Sequence, residues 1–134
     1  MRAYWDSSAL IEAVQDLGIR KVLHRSGGFT RPHTFAEVFS TLTGGRLGVR
    51  CLAEDAAKIA RELASDLKFV ELTGLETLGA LAAAREHGVR GGLVHDYLHA
   101  VAAQKAGSPV LYTLNIGDFL SLRIPVTIEP PPRR

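Results

Sequence analysis

Short apolar runs alternate along the chain with longer stretches in which apolar residues recur at helical spacing. The first run, Ala3–Trp5, stops at Asp6, and Ser7 and Ser8 follow as candidate caps for an amphipathic helix over 9–17. The other predicted strands are 68–72, 110–113 and 126–128. Strands that alternate with helices indicate an α/β fold with a mainly parallel central sheet.

Helical spacing predicts most of the remaining chain. The further helices are 19–24, 34–43, 52–67, 74–87 and 93–106. Two of them begin with a capping-box motif, Thr34 with Glu37 and Thr73 with Glu76. The segment 29–32 is too short and too polar to predict as a strand, which leaves one edge of the sheet undefined.

Two aspartates follow predicted strands directly. Asp6 ends the first apolar run, and Asp118 closes the polar turn 115–118 behind the strand that ends at Thr113. In open α/β sheets, ligands bind outside the carboxyl ends of the strands. We therefore expect Asp6 and Asp118 to face one crevice.

Size and composition favour one domain over residues 1–134, because the chain is 46% hydrophobic and has the typical length of a single domain. No apolar run approaches the roughly 20 residues that span a bilayer, and Asp6 interrupts the region where a signal peptide needs its apolar core. The single cysteine, Cys51, excludes an internal disulfide. These features favour a cytoplasmic protein.

Two further carboxylates have local structural explanations. Glu37 fits the capping box with Thr34, and the periodicity places it opposite the apolar stripe of its helix. Asp96 lies in the first turn of its helix, where the helix dipole favours a negative charge. The local pattern alone favours capping or exposure for Glu37 and leaves both a structural and a functional role open for Asp96.

Other catalytic motifs are weak. His95 and His99 stand four residues apart on one helix, as in zinc proteases, but Asp96 replaces the expected Glu and the possible third ligands are remote. We predict instead that these imidazoles flank the site or contact a neighbouring helix. Cys51 has no identifiable partner base, and the glycine pairs lack the context of a phosphate-binding loop.

Four acidic residues share a pattern of context along the chain. They are Asp6 in Tyr-Trp-Asp-Ser-Ser, Glu37 in Thr-Phe-Ala-Glu-Val-Phe, Asp96 in Val-His-Asp-Tyr-Leu and Asp118 in Asn-Ile-Gly-Asp-Phe. In order and in surroundings, these segments resemble the acidic motifs of the PIN-domain nucleases. The resemblance extends over nearly the whole chain, whose length is similar to that of VapC-type toxins of bacterial toxin–antitoxin pairs.

The resemblance implies a three-layer α/β/α sandwich that brings the four acids to one groove, and a Mg²⁺- or Mn²⁺-dependent endoribonuclease. It makes the four acids catalytic and metal-binding residues, and it gives a supporting role to Ser8, Thr113 and Asn115. Magnesium and manganese prefer oxygen ligands, and clustered carboxylates are costly to ionise without a cation. We therefore expect at least one raised carboxyl pKa in the metal-free protein.

The same resemblance implies a homodimer, an RNA substrate, a small VapB-like antitoxin that covers the groove, and no membrane association. An antitoxin Arg among the carboxylates would compete with the metal. Outside the four acids, the chain has 16 basic and 10 acidic residues, which suits a polyanionic substrate. The candidates for RNA phosphate contacts, each with a plain solvated surface as the alternative, are Arg20, Lys21, Arg25, Arg31, Arg46 and Arg50.

One departure from the family pattern is Tyr97, which is bulkier than the small residue expected after the third acid and is predicted to narrow the RNA groove or to contact a partner. Two other functions stay open. One is a non-catalytic PIN-like module for RNA binding or scaffolding, and the other is a metal-dependent DNase or phosphatase. Retention of all four acids argues against the non-catalytic module, since clustered carboxylates without a metal are electrostatically costly.

Overall fold

The computed structural model describes residues 2–45, 48 and 50–134. Within these residues, five strands form one sheet in the order β3-β2-β1-β4-β5, and every neighbouring pair is parallel. The strands are β1 Tyr4–Trp5, β2 Gly28–Thr30, β3 Leu67–Phe69, β4 Val110–Tyr112 and β5 Thr127–Glu129. Because all strands are parallel, their carboxyl ends meet at one edge of the sheet.

Seven α-helices and one 3₁₀ turn, Ala84–His87, connect the strands in the described part of the chain. The helices are α1 Ser7–Gln15, α2 Leu17–Ser26, α3 Pro32–Thr43, α4 Ala53–Ala64, α5 Gly74–Ala82, α6 Leu93–Ala106 and α7 Ile116–Leu120. Helices cover both faces of the sheet, which confirms the predicted three-layer α/β/α sandwich. None of these helices is long and apolar enough to cross a membrane.

The central strand β1 supplies both halves of the core. Adjacent side chains of a strand point to opposite faces of the sheet, so Trp5 packs among α1 to α4 and Tyr4 among α6, α7 and β4. Both side chains are fully buried. This two-residue strand therefore joins the two apolar clusters. Packing on both faces of the sheet fixes the position of Asp6, the residue that follows the strand.

The segment that the sequence left unassigned is β2, which lies between β1 and β3. Its polar residue, Thr30, is fully buried, and its hydroxyl is satisfied there: it donates to the Trp5 carbonyl at 2.8 Å and lies 2.8 Å from the Thr34 hydroxyl. Three residues with a buried threonine give no clear strand pattern. The prediction that this segment is too short and too polar to form a strand is therefore wrong, and the strand lies inside the sheet rather than at its edge.

Two predicted helix starts were wrong. The N-cap of α1 is Asp6, whose carboxylate accepts from the Ala9 amide, rather than Ser7 or Ser8. Helix α3 begins at Pro32, a residue suited to the first helical position, so Thr34 lies inside the helix and forms no capping box. The second predicted capping box is confirmed, since Thr73 and Glu76 cap each other reciprocally at α5.

Tyr97 has a structural place that the sequence did not predict. Its side chain is 2% exposed, belongs to the core beneath α6 and donates from its hydroxyl to the Ala80 carbonyl at 2.7 Å. The predicted role in narrowing a groove or contacting a partner is therefore wrong. Its size fills the space between α6 and α5.

The contact between β2 and β1 gives a test of this packing. A Cβ atom on Gly28 would lie 2.6 Å from Trp5 Cδ1 and 2.8 Å from the Ala3 carbonyl oxygen. We expect Gly28→Ala to lower the free energy of unfolding by about 1–3 kcal/mol, the usual cost of overpacking. Urea denaturation measures this change.

The matched control is Gly79→Ala on α5, where an added Cβ meets nothing within 4 Å. This change should raise the free energy of unfolding by roughly 0.5–1 kcal/mol, because alanine is the better helix former. A Gly28→Ala variant as stable as the wild type would contradict the packing argument.

Candidate active site at the carboxyl edge of the sheet

Asp6 lies directly behind β1 and is 1% exposed. Its Oδ1 accepts from the Ala9 amide at 2.9 Å and from the Ser8 hydroxyl at 2.8 Å, and its Oδ2 accepts from the Thr113 hydroxyl at 2.6 Å. Burial raises the pKa of Asp6, while the charge of His99 and these hydrogen bonds oppose the shift. A carboxylate accepts about four hydrogen bonds, so Oδ2 keeps capacity for another ligand.

The two hydroxyls that hold Asp6 also connect α1 with the loop behind β4. Ser8 Oγ accepts from the Leu114 amide at 2.9 Å, and Thr113 Oγ1 accepts from the Asn115 amide at 2.9 Å. Asn115 thus contributes through its backbone, and its exposed side chain makes no hydrogen bond within the described residues. The loop that carries Asp118 is therefore anchored to the Asp6 carboxylate.

Glu37 projects from α3, and its side chain is 27% exposed. Its Oε1 is 2.7 Å from Nε2 of the buried His99 on α6. Burial works to raise the pKa of Glu37, but the hydrogen bond and charge of His99, with the charges of His33 and His95, outweigh it and lower the pKa. Glu37 is consequently ionised at neutral pH.

A groove of about 380 Å³ opens beside Glu37 between α3 and α6. Glu37 contributes a negative charge to its wall, and His33 and His95 contribute imidazoles. Serine and threonine hydroxyls complete much of the lining, from Ser7, Ser40 and Thr41. A polar groove of this kind can hold a hydrogen-bonding ligand next to the carboxylates.

Asp96 is partly buried on α6, and its pKa is raised to about 6. Burial is the largest cause and the negative charge of Asp6 the next, and the charges of Asp118 and Glu37 raise the pKa further while His99 opposes. Asp118 itself is exposed on α7. The four acids lie on elements that meet at the carboxyl edge of the sheet, and the charges of the other three act on Asp96.

The chemical type of these side chains suits a hard divalent cation, because the site offers carboxylate oxygens and an excess of negative charge. Among residues 2–45, 48 and 50–134, however, no three acidic, histidine or cysteine side chains already form a metal-binding group. Magnesium is usually held by only one or two carboxylates together with water and substrate oxygens. Asp6 and Asp96 are the first candidates to hold it, with Glu37 and Asp118 as further oxygen donors.

The basic residues predicted to contact RNA are dispersed. Arg20 pairs with Asp66, immediately ahead of β3, at 2.6 Å. Lys21 and Arg25 are exposed on the same helix as Arg20, α2, which leads into the amino end of β2. Arg31 caps α3 at the carboxyl end of β2, on the edge that carries the acids. The two remaining candidates are Arg50, which is exposed, and Arg46, which lies outside the described residues.

Sequence reasoning missed part of this arrangement. The prediction that His95 and His99 flank the site or contact a neighbouring helix is confirmed, because His95 lines the groove and His99 bonds to Glu37 on α3. The link from His99 to Tyr4 on β1 was not predicted. Both ring nitrogens of His99 have partners, which leaves none for the zinc site considered with His95. The sequence did contain a signal for these histidines, because residues three or four apart share one face of a helix. His33 precedes Glu37 by four residues, and His99 follows Asp96 by three.

Comparison with known proteins agrees with this architecture. A search of curated protein sequences gives no significant match. The fold is similar to the crystal structure of VapC20 from Mycobacterium tuberculosis, described as a Sarcin-Ricin loop cleaving toxin, with a TM-score of 0.65 and 20% identity over 91% of this chain and 95% of that one. The sequence model of the PIN domain matches residues 3–121, from β1 to α7. This protein therefore belongs to the PIN domain family.

Proposed function

We propose that this protein is an endoribonuclease that hydrolyses RNA phosphodiester bonds with the help of Mg²⁺ or Mn²⁺. PIN domains are nucleases, and membership of this family supports the proposal. The feature that most supports the proposal is the convergence of four acids at the carboxyl edge of the parallel sheet, where the charges of Asp6, Asp118 and Glu37 act with burial to raise the pKa of Asp96. Four neighbouring carboxylates lower the stability of the metal-free protein because their negative charges repel one another, and the same charges favour binding of a cation.

The chain contributes fixed and titrating carboxylates to this chemistry. A bound Mg²⁺ or Mn²⁺ lowers the pKa of water and stabilises the charge that develops on the phosphate. Asp6 is oriented by three hydrogen bonds, and Asp96 is the carboxyl from which cation binding displaces a proton. In the proposed reaction, a water oxygen adds to phosphorus and the 3′-oxygen leaves with a proton, which gives a 5′-phosphate and a 3′-hydroxyl.

The groove beside Glu37 is the proposed path of the RNA. His33 and His95 stand where the strand would pass the carboxylates, and the serine and threonine hydroxyls of the lining can bond to phosphate or ribose oxygens. Arg31 is the predicted phosphate contact that lies on the same edge of the sheet. These contacts depend on the backbone of the nucleic acid and predict little sequence preference by themselves.

We also propose that the protein is the toxin of a toxin–antitoxin pair, acts as a homodimer in the cytoplasm and is neutralised by a VapB-like antitoxin. The similar length of VapC-type toxins and the shared fold with a protein described as a toxin support this role. An antitoxin arginine placed among the four carboxylates would form charge-assisted hydrogen bonds with them and exclude the cation.

RNA cleavage provides the first test. We expect purified protein to cut a labelled mixed-sequence RNA in Mg²⁺ or Mn²⁺ and to lose this activity in EDTA. Asp96→Asn should reduce the rate at least about 100-fold, because it removes a charged ligand from the reacting centre. The control is Asp55→Asn, which alters an exposed acid in the first turn of α4 and should cleave at the wild-type rate.

The same assay separates the alternatives when a DNA of matched sequence is included and circular dichroism verifies the fold. Cleavage of DNA in preference to RNA would replace the proposal with a metal-dependent DNase. Absence of cleavage and of Mn²⁺ binding in the folded wild type would favour a non-catalytic RNA-binding or scaffolding module.

The pKa of Asp96 predicts a specific dependence of stability on pH. Its folded value of about 6 lies above the usual unfolded value near 3.9, so the protonated form favours the fold. The stabilising contribution is complete below about pH 4 and is lost as the pH rises through 6. In metal-free protein, Asp96→Asn should therefore be more stable than the wild type above pH 6, and the difference should shrink toward pH 4.

Urea denaturation in EDTA at several pH values measures this difference, and the carbon-13 shift of the Asp96 carboxyl reports its pKa directly. Adding Mg²⁺ should move that pKa downward, since the cation binds the ionised form. A stability difference that is constant between pH 4 and 7 would show that Asp96 titrates normally.

A further inference from the structure

We propose that His99 is a positioning residue of the nuclease site: its imidazole, fixed by the Tyr4 hydroxyl, holds one oxygen of Glu37 so that the other is presented to the cation. This inference rests on the proposed function. It assigns a role in metal binding to two residues, Tyr4 and His99, that carry no negative charge at neutral pH.

The geometry is a continuous chain of three side chains from three elements. Tyr4 Oη lies 2.7 Å from His99 Nδ1, and His99 Nε2 lies 2.7 Å from Glu37 Oε1. Tyr4 is fully buried on β1 and His99 is 1% exposed on α6, whereas Glu37 reaches the groove from α3. These two hydrogen bonds therefore connect the centre of the sheet with the wall of the proposed active site.

The protonation states of Glu37 and Tyr4 decide which atom donates in each of these hydrogen bonds. Glu37 is ionised and can only accept, so His99 Nε2 must carry a hydrogen and donate it. Burial raises the pKa of Tyr4, which keeps its hydroxyl protonated, so this hydroxyl can donate to Nδ1 whenever the imidazole is in its neutral form. The tyrosine thereby selects the tautomer of His99 that bonds to the carboxylate.

Neighbouring side chains keep the tyrosine end in place. Tyr4 and His99 pack edge to face, with ring centroids 5.7 Å apart. Thr34 and Thr30 lie close enough to the Tyr4 hydroxyl to oppose the rise of its pKa, and Thr30 is anchored to the Trp5 carbonyl. An imidazole fixed at both nitrogens and against an aromatic ring has little rotational freedom.

A purely structural role does not account for this arrangement. Burial of polar side chains disfavours folding unless hydrogen bonds compensate, and apolar residues of similar size fill a core equally well. Here the polar chain ends on a partly exposed carboxylate, and Glu37 Oε2 has no hydrogen bond within the described residues. The arrangement leaves one Glu37 oxygen for a cation and restrains its direction, as partners behind metal ligands commonly do.

The test compares two replacements of similar size at His99. His99→Leu removes both hydrogen bonds, whereas His99→Gln retains an amide donor for Glu37 and a carbonyl acceptor for Tyr4. Mn²⁺ affinity is measured by electron paramagnetic resonance and by calorimetry. We expect His99→Leu to weaken Mn²⁺ binding about 10-fold, within the range found for partners of metal ligands, and His99→Gln to recover most of the loss.

The double variant Tyr4→Phe/His99→Leu separates positioning from stability. It removes both buried polar partners together, so neither is left buried without a hydrogen bond and the main cost to stability of the single variants is avoided. If positioning is the role of His99, this variant stays folded in urea denaturation, retains weak Mn²⁺ binding, and shows a lower kcat with a KM for RNA close to that of the wild type at fixed Mn²⁺. Tyr4→Phe alone should weaken Mn²⁺ binding less than His99→Leu.

The outcomes distinguish this inference from the proposed function. Wild-type Mn²⁺ affinity in His99→Leu or in the double variant would overturn the positioning role while leaving the nuclease proposal intact. A folded wild type that neither binds Mn²⁺ nor cleaves RNA would overturn both. Equal loss of affinity in His99→Gln and His99→Leu would also reject positioning by hydrogen bonds.

Discussion

The buried carboxylate of Asp6 is the constraint on which the rest of the structure depends. It follows a strand of only two residues, caps α1 through the Ala9 amide, and accepts a hydrogen bond from Thr113 behind β4. A carboxylate that is 1% exposed needs such donors, because burial disfavours its charge. The Asp6 side chain thus fixes the start of α1, the residue behind β4 and the centre of the candidate site. A displacement of any one of these would break a hydrogen bond to Asp6.

The site concentrates like charges that a stability-optimised fold would separate. Four acids arrive from β1, α3, α6 and α7 because parallel strands deliver their carboxyl ends to one edge. The cost appears at Asp96, where burial and three neighbouring carboxylates raise the pKa to about 6. His99 offsets part of this cost, since its charge lowers the pKa of Glu37 and opposes the shifts at Asp6 and Asp96. Natural proteins commonly accept such a loss of stability at functional sites.

Sequence reasoning succeeded where a local rule coincided with the global fold. Alternating strands and helices predicted the parallel sheet, and the sequence correctly located Asp6 directly behind β1 and Asp118 in the segment that follows β4. It failed where a distant partner decides the outcome: β2 is a strand because it pairs on both sides and Thr30 bonds to Trp5, and the side chain of Glu37 reaches His99 rather than the start of its own helix. A contact between residues 62 positions apart leaves no periodic trace in either segment. Even the family resemblance, which selected the four acids, contained no information about Tyr4 and His99.

The four carboxylates differ in how firmly the protein holds them. Asp6 and Glu37 are restrained by hydrogen bonds to α1, β4 and α6, whereas the side chains of Asp96 and Asp118 make none in the part of the chain that the structure describes. For the proposed metal site, this means that two ligands are fixed in advance and two adjust when a cation arrives.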